Sequence, residues 1–300
     1  MDSEKCIIGF TGSFGSGCSH IIDQFFQSSD SGFGYESLSL SNYIKANIRS
    51  PYARKDLQDE GNRMRQEHGL SHLADLAIAD IEKRSDVSKW VVNGIRNLAE
   101  IFAFRRKYPS FYLIGVFADE QIRWERVAEN YGGDRSLFII DDRRDRGEGT
   151  ENGQQVEECF YNADLVIPNY KNFTEKGRAY TDFKSRLTDY VELLEHPYTR
   201  EPDHKEALMS IAYAQSFLSS CLKRKVGAII ADEFGSIFSS GYNEVPRDNV
   251  PCSDAGECRK DKFKREVSRE FDIDPKGKMW SKIKNLERCM AVHAEENAIL

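Results

Sequence analysis

The chain closes on "ERCMAVHAEENAIL", where Cys289, His293 and Glu295 stand close together. An imidazole is a ready zinc ligand. A carboxylate two residues further on can lie beside a metal-bound water without ligating the metal. Zinc lowers the pKa of such a water to ~7, and a carboxylate beside it can pass the proton on to substrate. His293 is therefore the candidate metal ligand and Glu295 the candidate acid–base group. The alternative is a histidine packed beside an apolar helix. One imidazole cannot hold zinc firmly, and a known zinc signature that begins His-x-Glu is completed by a Pro-Cys-x-x-Cys pair, the expected other half. No such pair follows Glu295, and the remaining ligands are expected beyond Leu300, in a longer enzyme of which this is the front portion. A natural remnant is the other possibility.

Cys252, Cys258 and Cys289 raise a separate question. Three thiols in a polar segment suit a second, structural zinc site better than core packing. Ordinary free thiols are the alternative. The seven cysteines are odd in number and scattered, which favours thiols or metal ligands over a disulfide framework.

A second chemistry-bearing stretch lies near the start. "CIIGFT" runs into "GSFGSGCS" and then "HIIDQFF". Strand, glycine loop and helix form the setting of a phosphate-binding loop. Gly12, Gly17 and Ser19 match the frame G-x-x-x-x-G-K-[ST], and Gly15 adds to the cradle. Cys18 stands where the frame has lysine. Backbone N–H groups can still gather on an anion there, but the ammonium that meets the outer phosphates is gone. A nucleotide sensor and a structural relic both fit such a loop. The run "DDRRDR" (141–146) reads as an arginine lid over phosphates or, more simply, as a solvated charged loop.

These residues need elements to position them. "YESLSL", "KWVVNGIRN", "FYLIGVFA" and "ADLVIPN" read as strands. "LQDEGNRMRQEHG", "SHLADLAIADIEKR", "DEQIRWERVAEN" and "DFKSRLTDYVELL" read as helices. The alternation predicts an α/β, doubly wound parallel sheet. Ligands of such sheets sit at the carboxyl ends of the strands, so 12–19, Asn93–Asn97, Arg123 and Arg126 should share one edge. Pro197 and Pro202 punctuate "EHPYTREPDHKEAL", which divides the chain into 1–197 and 198–300. Beyond it, Leu208, Ile211, Ala212, Gln215, Leu218 and Leu222 trace one helical face. "VGAIIA" and "IFSSGYN" flank a turn as a β-hairpin, and a helix opens near His293.

At 300 residues, 40% hydrophobic and 30% charged, the chain is long enough for two cores. No apolar run approaches the ~20 residues of a membrane span. The polar start, Met1 to Lys5, lacks the apolar segment of a signal peptide, and a cytoplasmic location is expected. A formal net charge of −7 argues against broad binding to DNA or other nucleic acid.

Taken together, "GFTGSFGSG", "LQDEGN", "VVNGIRN", "LIGVFADEQIRWERV", "DDRRDRGE" and "GQQVEECFYNADLVIPN" resemble the P-loop domain related to nucleoside monophosphate kinases, over most of 5–195. The resemblance puts Asn93 where the family has a magnesium-holding Asp, and Arg96 where it has an arginine for the substrate phosphate. With lysine and acid both replaced, kinase activity is not expected, because phosphoryl transfer is largely charge stabilisation. "SSCLKRKVGAIIA", "SSGYNEVPRD" and "VHAEENAIL" resemble the deoxycytidylate deaminases over about 204–300. This resemblance implies a cytidine-deaminase-like α/β/α domain, with Asn243 at the deoxyribose and the backbone near Ala294 at the pyrimidine. Fused, the two halves resemble bacterial anti-phage deaminases of dCMP and dCTP. Zn²⁺, a hexamer-like homo-oligomer, repression until infection and, in some members, a small regulatory RNA are what that group implies. Three functions are weighed: a zinc-dependent deoxycytidine nucleotide deaminase with a regulatory P-loop domain, a nucleotide kinase with a degenerate tail, and a non-catalytic oligomerising protein.

Overall fold

The apolar run after Lys5 forms β1 (Cys6–Thr11), the middle strand of a five-stranded sheet ordered β2-β3-β1-β4-β5. The computed structural model describes residues 5–27, 32–147, 151–170, 177–274, 280 and 289–300. The polar residues 1–4 and Glu148 of the charged run lie outside them. The chain divides into two compact units, Met1–Thr199 and Arg200–Leu300.

In the first unit every sheet pairing is parallel: β2 (Glu36–Ser39) with β3 (Lys89–Asn93), β3 with β1, β1 with β4 (Phe111–Phe117), and β4 with β5 (Leu165–Pro168). A parallel sheet is covered on both faces, so its strands are apolar on both. Ile7 and Val92 belong to one buried cluster, and Ile8, Phe10 and Val91 to the other. The first face is covered by α2 (Leu40–Lys45), α3 (Arg54–His68), α4 (His72–Lys83) and α5 (Leu98–Lys107), through Leu40, Met64, Leu73, Ile81 and Phe104. The second is covered by the helical stretch that starts as α1 (Cys18–Ile21) and continues as a π-turn, Ile22–Phe26, together with the long C-terminal helix of the unit. Between β4 and that helix come α6 (Glu120–Val127), α7 (Arg135–Arg146), α8 (Val156–Tyr161) and β5; the helix itself is α9 (Arg178–Glu195). The α/β class expected from the alternation holds.

The charged run differs from the solvated loop expected for it. "DDRRDR" is the end of α7, and Phe138, Asp142 and Asp145 are its buried face. It is not a solvated loop, because Asp142 and Asp145 turn inward to Arg123, Arg54 and Arg96 of other parts of the unit.

The second unit starts with α10 (His204–Ser216), capped by Asp203, whose side chain accepts the Glu206 N–H at 2.8 Å. β6 (Gly227–Ala231) and β7 (Ile237–Tyr242) then form an antiparallel hairpin. Gly227 lies opposite Tyr242, and Ala228 opposite Gly241. Side chains alternate across a strand, so the two glycines belong to opposite faces. A Cβ on Gly227 would overlap the Ala212 carbonyl of α10. One on Gly241 would overlap Ala294 and Ala298 of the closing helix. Each glycine admits one helix against the hairpin, giving α/β/α layering. Short helices α11 (Cys252–Ala255) and α12 (Arg259–Glu270) follow the hairpin, and α13 (Ala294–Ile299) closes the unit. The expected apolar face of the first helix is corrected. Ala212, Ser216 and Ser219 are buried, while Ile211, Leu218 and Leu222 are exposed. The helix ends at Ser216, so the 3.6-residue period does not carry through to Leu218 and Leu222.

Candidate functional sites in the two units

In the second unit His293 is the N-cap of α13. Its N–H donates to Glu296 Oε2 at 3.1 Å, and its carbonyl accepts the Asn297 N–H at 2.9 Å. The residue before it is pinned by an isolated antiparallel bridge, with Val292 N–H donating to the Glu244 carbonyl at 2.9 Å. Asn297 Nδ2 donates to the Tyr242 carbonyl at 2.8 Å, and Ser239 donates to the Ala298 carbonyl. These bonds, with Ala294 buried against Gly241, fix the start of α13 on β7. His293 and Glu295 are both exposed there.

A cavity of about 890 Å³ opens at this place. Its lining includes Asn243, Cys252, Cys258, Cys289, His293, Ala294 and Glu295. Every candidate site residue of the second half of the sequence thus lines one cavity. Cys221 joins them, a fourth thiol not anticipated. The wall also carries Lys223, Arg224, Arg259, Lys260 and Lys264, against the carboxylates Glu244, Asp261 and Glu295. The surplus of cations in a chain of net charge −7 was not foreseen. Lys223, Arg224 and "RKDKFKR" carry its signal, as a basic cluster inside an acidic chain.

Two details qualify the sequence reading. Asn243 Oδ1 accepts the Val226 N–H at 2.8 Å, and its Nδ2 donates to the Arg224 carbonyl at 2.9 Å. Its amide braces the entry to β6 and forms this part of the cavity wall. The cysteines are all free thiols. Among the described residues no three His, Cys, Asp or Glu side chains are grouped so as to hold a metal ion. The donors fit zinc in kind, but the described set does not complete a site for one, catalytic or structural.

In the first unit the glycine loop follows β1 at the carboxyl edge, as expected. Asn93 Nδ2 donates to Ser19 Oγ at 2.9 Å, so a neutral pair stands where a hydroxyl and a carboxylate would hold a cation. Cys18 is half-buried, and burial pushes its thiol up. It lies 3.5 Å from Ser16 Oγ and brings no charge to the loop. Gly15 and Gly17 have φ of +82° and +98°, a region that favours glycine. Arg123 donates to the Phe14 carbonyl at 3.1 Å, and Arg126 to those of Gly15 and Ser16 at 3.3 Å. Asn169 Nδ2 adds a bond to the Ser16 carbonyl at 2.8 Å. Ser19, Asn93, Arg123 and Arg126 therefore do meet at one edge.

Arg96 is engaged as well. Its Nη1 lies 3.0 Å from Asp145 Oδ2 and 3.0 Å from Gln154 Oε1. Asp145 also takes Arg54, Gln58 Nε2 at 2.8 Å and the Phe14 N–H at 3.3 Å. Arg54, Gln58 and Asp145 were missed in the sequence. The signal for Asp145 was its spacing from Phe138 and Asp142, which puts all three on one helical face.

No family model matches the chain. A UPF0200 protein of Methanoregula boonei is 26% identical over 178 residues, 57% of this chain and 88% of that protein. Deoxycytidylate deaminase of Saccharomyces cerevisiae is 31% identical over 99 residues, 33% of this chain and 26% of the yeast protein. The deoxycytidylate deaminase of Schizosaccharomyces pombe is 27% identical over 105 residues, 27% of its length. The chain thus spans about a quarter of the deaminases it is similar to. Shikimate kinase from Bacteroides thetaiotaomicron superposes on 63% of this chain and 99% of its own, at 14% identity and a TM-score of 0.39. The chain is similar in part to UPF0200 proteins and in part to deoxycytidylate deaminases. Among the described residues no helix is long and apolar enough to cross a membrane.

Proposed function

We propose that the second unit binds deoxycytidine nucleotides, dCMP or dCTP, and takes part in their zinc-dependent hydrolytic deamination. The observation that carries this is the single cavity that gathers His293, Glu295 and a surplus of cationic side chains. The cations suit the phosphates of a nucleotide, and the partial likeness to deoxycytidylate deaminases supports the base. Within the cavity Glu295 takes and returns protons, the bridge at Val292 and the capping bonds of α13 hold it in place, and Asn243 keeps the entry to β6 in shape. Zinc chemistry needs more ligands than the described residues group together, so no step is assigned to the metal. The first unit is proposed to be regulatory. Cytoplasmic location, homo-oligomeric assembly, a role in anti-phage defence and control by a small RNA are extensions of the same proposal.

A second reading, a nucleotide kinase, draws on the parallel sheet and glycine loop of the first unit. The neutral Cys18 and Asn93 count against it.

The test is direct. Protein purified with added zinc is incubated with dCMP and dCTP, and uracil nucleotide formation is measured for wild type and Glu295→Gln. Loss of at least ~10²-fold in rate is expected for the variant, with substrate binding by calorimetry retained. Equal rates would remove Glu295 from the chemistry. Absence of dCMP and dCTP binding by the wild type would remove the substrate assignment.

A further inference from the structure

The carboxylate of Asp145 is fully buried, and its surroundings are those of a phosphate oxygen. Oδ2 takes Arg54, Arg96 Nη1 at 3.0 Å and the Phe14 N–H of the glycine loop at 3.3 Å; Oδ1 takes Gln58 at 2.8 Å. Burial works to raise this carboxyl, but Arg96, Arg54 and Gln58 together hold it below the ordinary carboxylate range. The neighbouring charges are matched elsewhere. Asp142 pairs with Arg123 and Arg146, and Glu100 with Arg65. Two guanidinium groups thus share one carboxylate and keep a surplus positive charge. Arg54 Nε, a donor, is buried with no hydrogen-bond partner among the described residues. A single carboxylate leaves this cluster under-filled in charge and in hydrogen bonds. A phosphate dianion would match both arginines, because Arg recognises phosphate by paired N–H bonds.

We propose that Asp145 is a built-in competitor: it occupies, from α7, a phosphate-binding site formed by Arg54, Arg96 and the Phe14 N–H, and a phosphate-bearing ligand enters by displacing it. The site does not rest on the deaminase proposal. Asp145 is part of α7, so its displacement must loosen or shift the end of that helix. A ligand that has to displace an internal group binds more weakly by the fraction of time the site is open. The loop therefore discriminates by charge, passing over weakly charged anions that cannot outcompete the carboxylate.

The experiment measures binding of inorganic pyrophosphate to the full chain by calorimetry, for wild type and Asp145→Asn, with inorganic phosphate and ATP in parallel. Asp145→Asn should bind pyrophosphate at least about tenfold more tightly, and Arg54→Gln in that background should abolish the gain. A gain shared by the three ligands supports recognition of the phosphate. A gain confined to ATP assigns recognition to the nucleoside and overturns the proposal. Equal or weaker binding by folded Asp145→Asn overturns it too. If that variant does not fold, the wild type decides by hydrogen exchange. Faster exchange at the end of α7 with pyrophosphate supports displacement. Binding that leaves α7 unchanged, or no binding at millimolar concentration, overturns it.

Discussion

Glu100 shows how much one residue can hold in the first unit. Its Oε1 accepts from Arg65 Nε at 3.0 Å and Nη2 at 2.8 Å, and its Oε2 takes the N–H groups of Arg96 and Asn97 at 2.8 and 3.1 Å. Both charged partners are buried, and Arg65 Nη1 finds no hydrogen-bond partner among the described residues. Removing one partner of a buried pair strands the other charge, which costs about 3–5 kcal/mol. Glu100→Ala should lower the stability of this unit by that amount in denaturant unfolding, and Glu100→Gln by less. A loss under ~1 kcal/mol, the level of an exposed pair, would contradict the assignment. At this scale the sequence was legible where spacing carried the signal. Gly12, Gly17 and Ser19 were found from the loop frame, Asn93 from the family resemblance, and His293 and Glu295 from their separation. Arg54 and Asp145 were not, because a carboxylate in a charged run and an arginine far along the chain declare no partner until the fold joins α3 to α7.

The elements were read more fully than the contacts between them. Apolar runs bounded by turns gave the five parallel strands and the hairpin, because strands covered on both faces are continuous in hydrophobicity. The buried face of α10 was misread, since Ala212, Ser216 and Ser219 are small or polar while larger residues nearby remain exposed. Small residues are what close helix–hairpin packing requires, and Gly241 repeats the lesson under α13. Its missing side chain lets the Ala294 carbonyl and the Ala298 amide approach β7. Gly241→Val should push α13 away at an overpacking cost of about 1–3 kcal/mol, taking His293 and Glu295 with it. Hydrogen exchange across α13 should quicken, and nucleotide binding in the cavity should weaken. Ser240→Val, at an exposed position of the same strand, should change neither. Unaltered exchange in Gly241→Val would mean that α13 is not seated by that contact.

For the molecule as a whole, the proposed deamination and the alternative phosphoryl transfer make different demands on the two units. Phosphoryl transfer depends on positioned positive charge around the moving phosphate. In the first unit the lysine position is the half-buried thiol of Cys18, and the acid position is Asn93, bonded to Ser19. The arginines of that edge do not stand in for them. Arg54 and Arg96 hold Asp145, Arg123 holds Asp142 and the Phe14 carbonyl, and Arg126 holds loop carbonyls. In this structure each is engaged by a group of the protein itself. In the second unit the cations line an open cavity together with the candidate acid–base residue Glu295. The division was visible in the sequence as two separated motifs, but the neutral state of the loop and the cationic wall of the cavity needed the fold. We therefore expect no transfer of phosphate from MgATP to any deoxynucleoside monophosphate. One preparation, supplied with zinc and magnesium, should be assayed for both activities, following nucleoside diphosphate formation and uracil nucleotide formation side by side. Steady production of a deoxynucleoside diphosphate that persists in Glu295→Gln would place turnover in the first unit and reverse the roles proposed for the two.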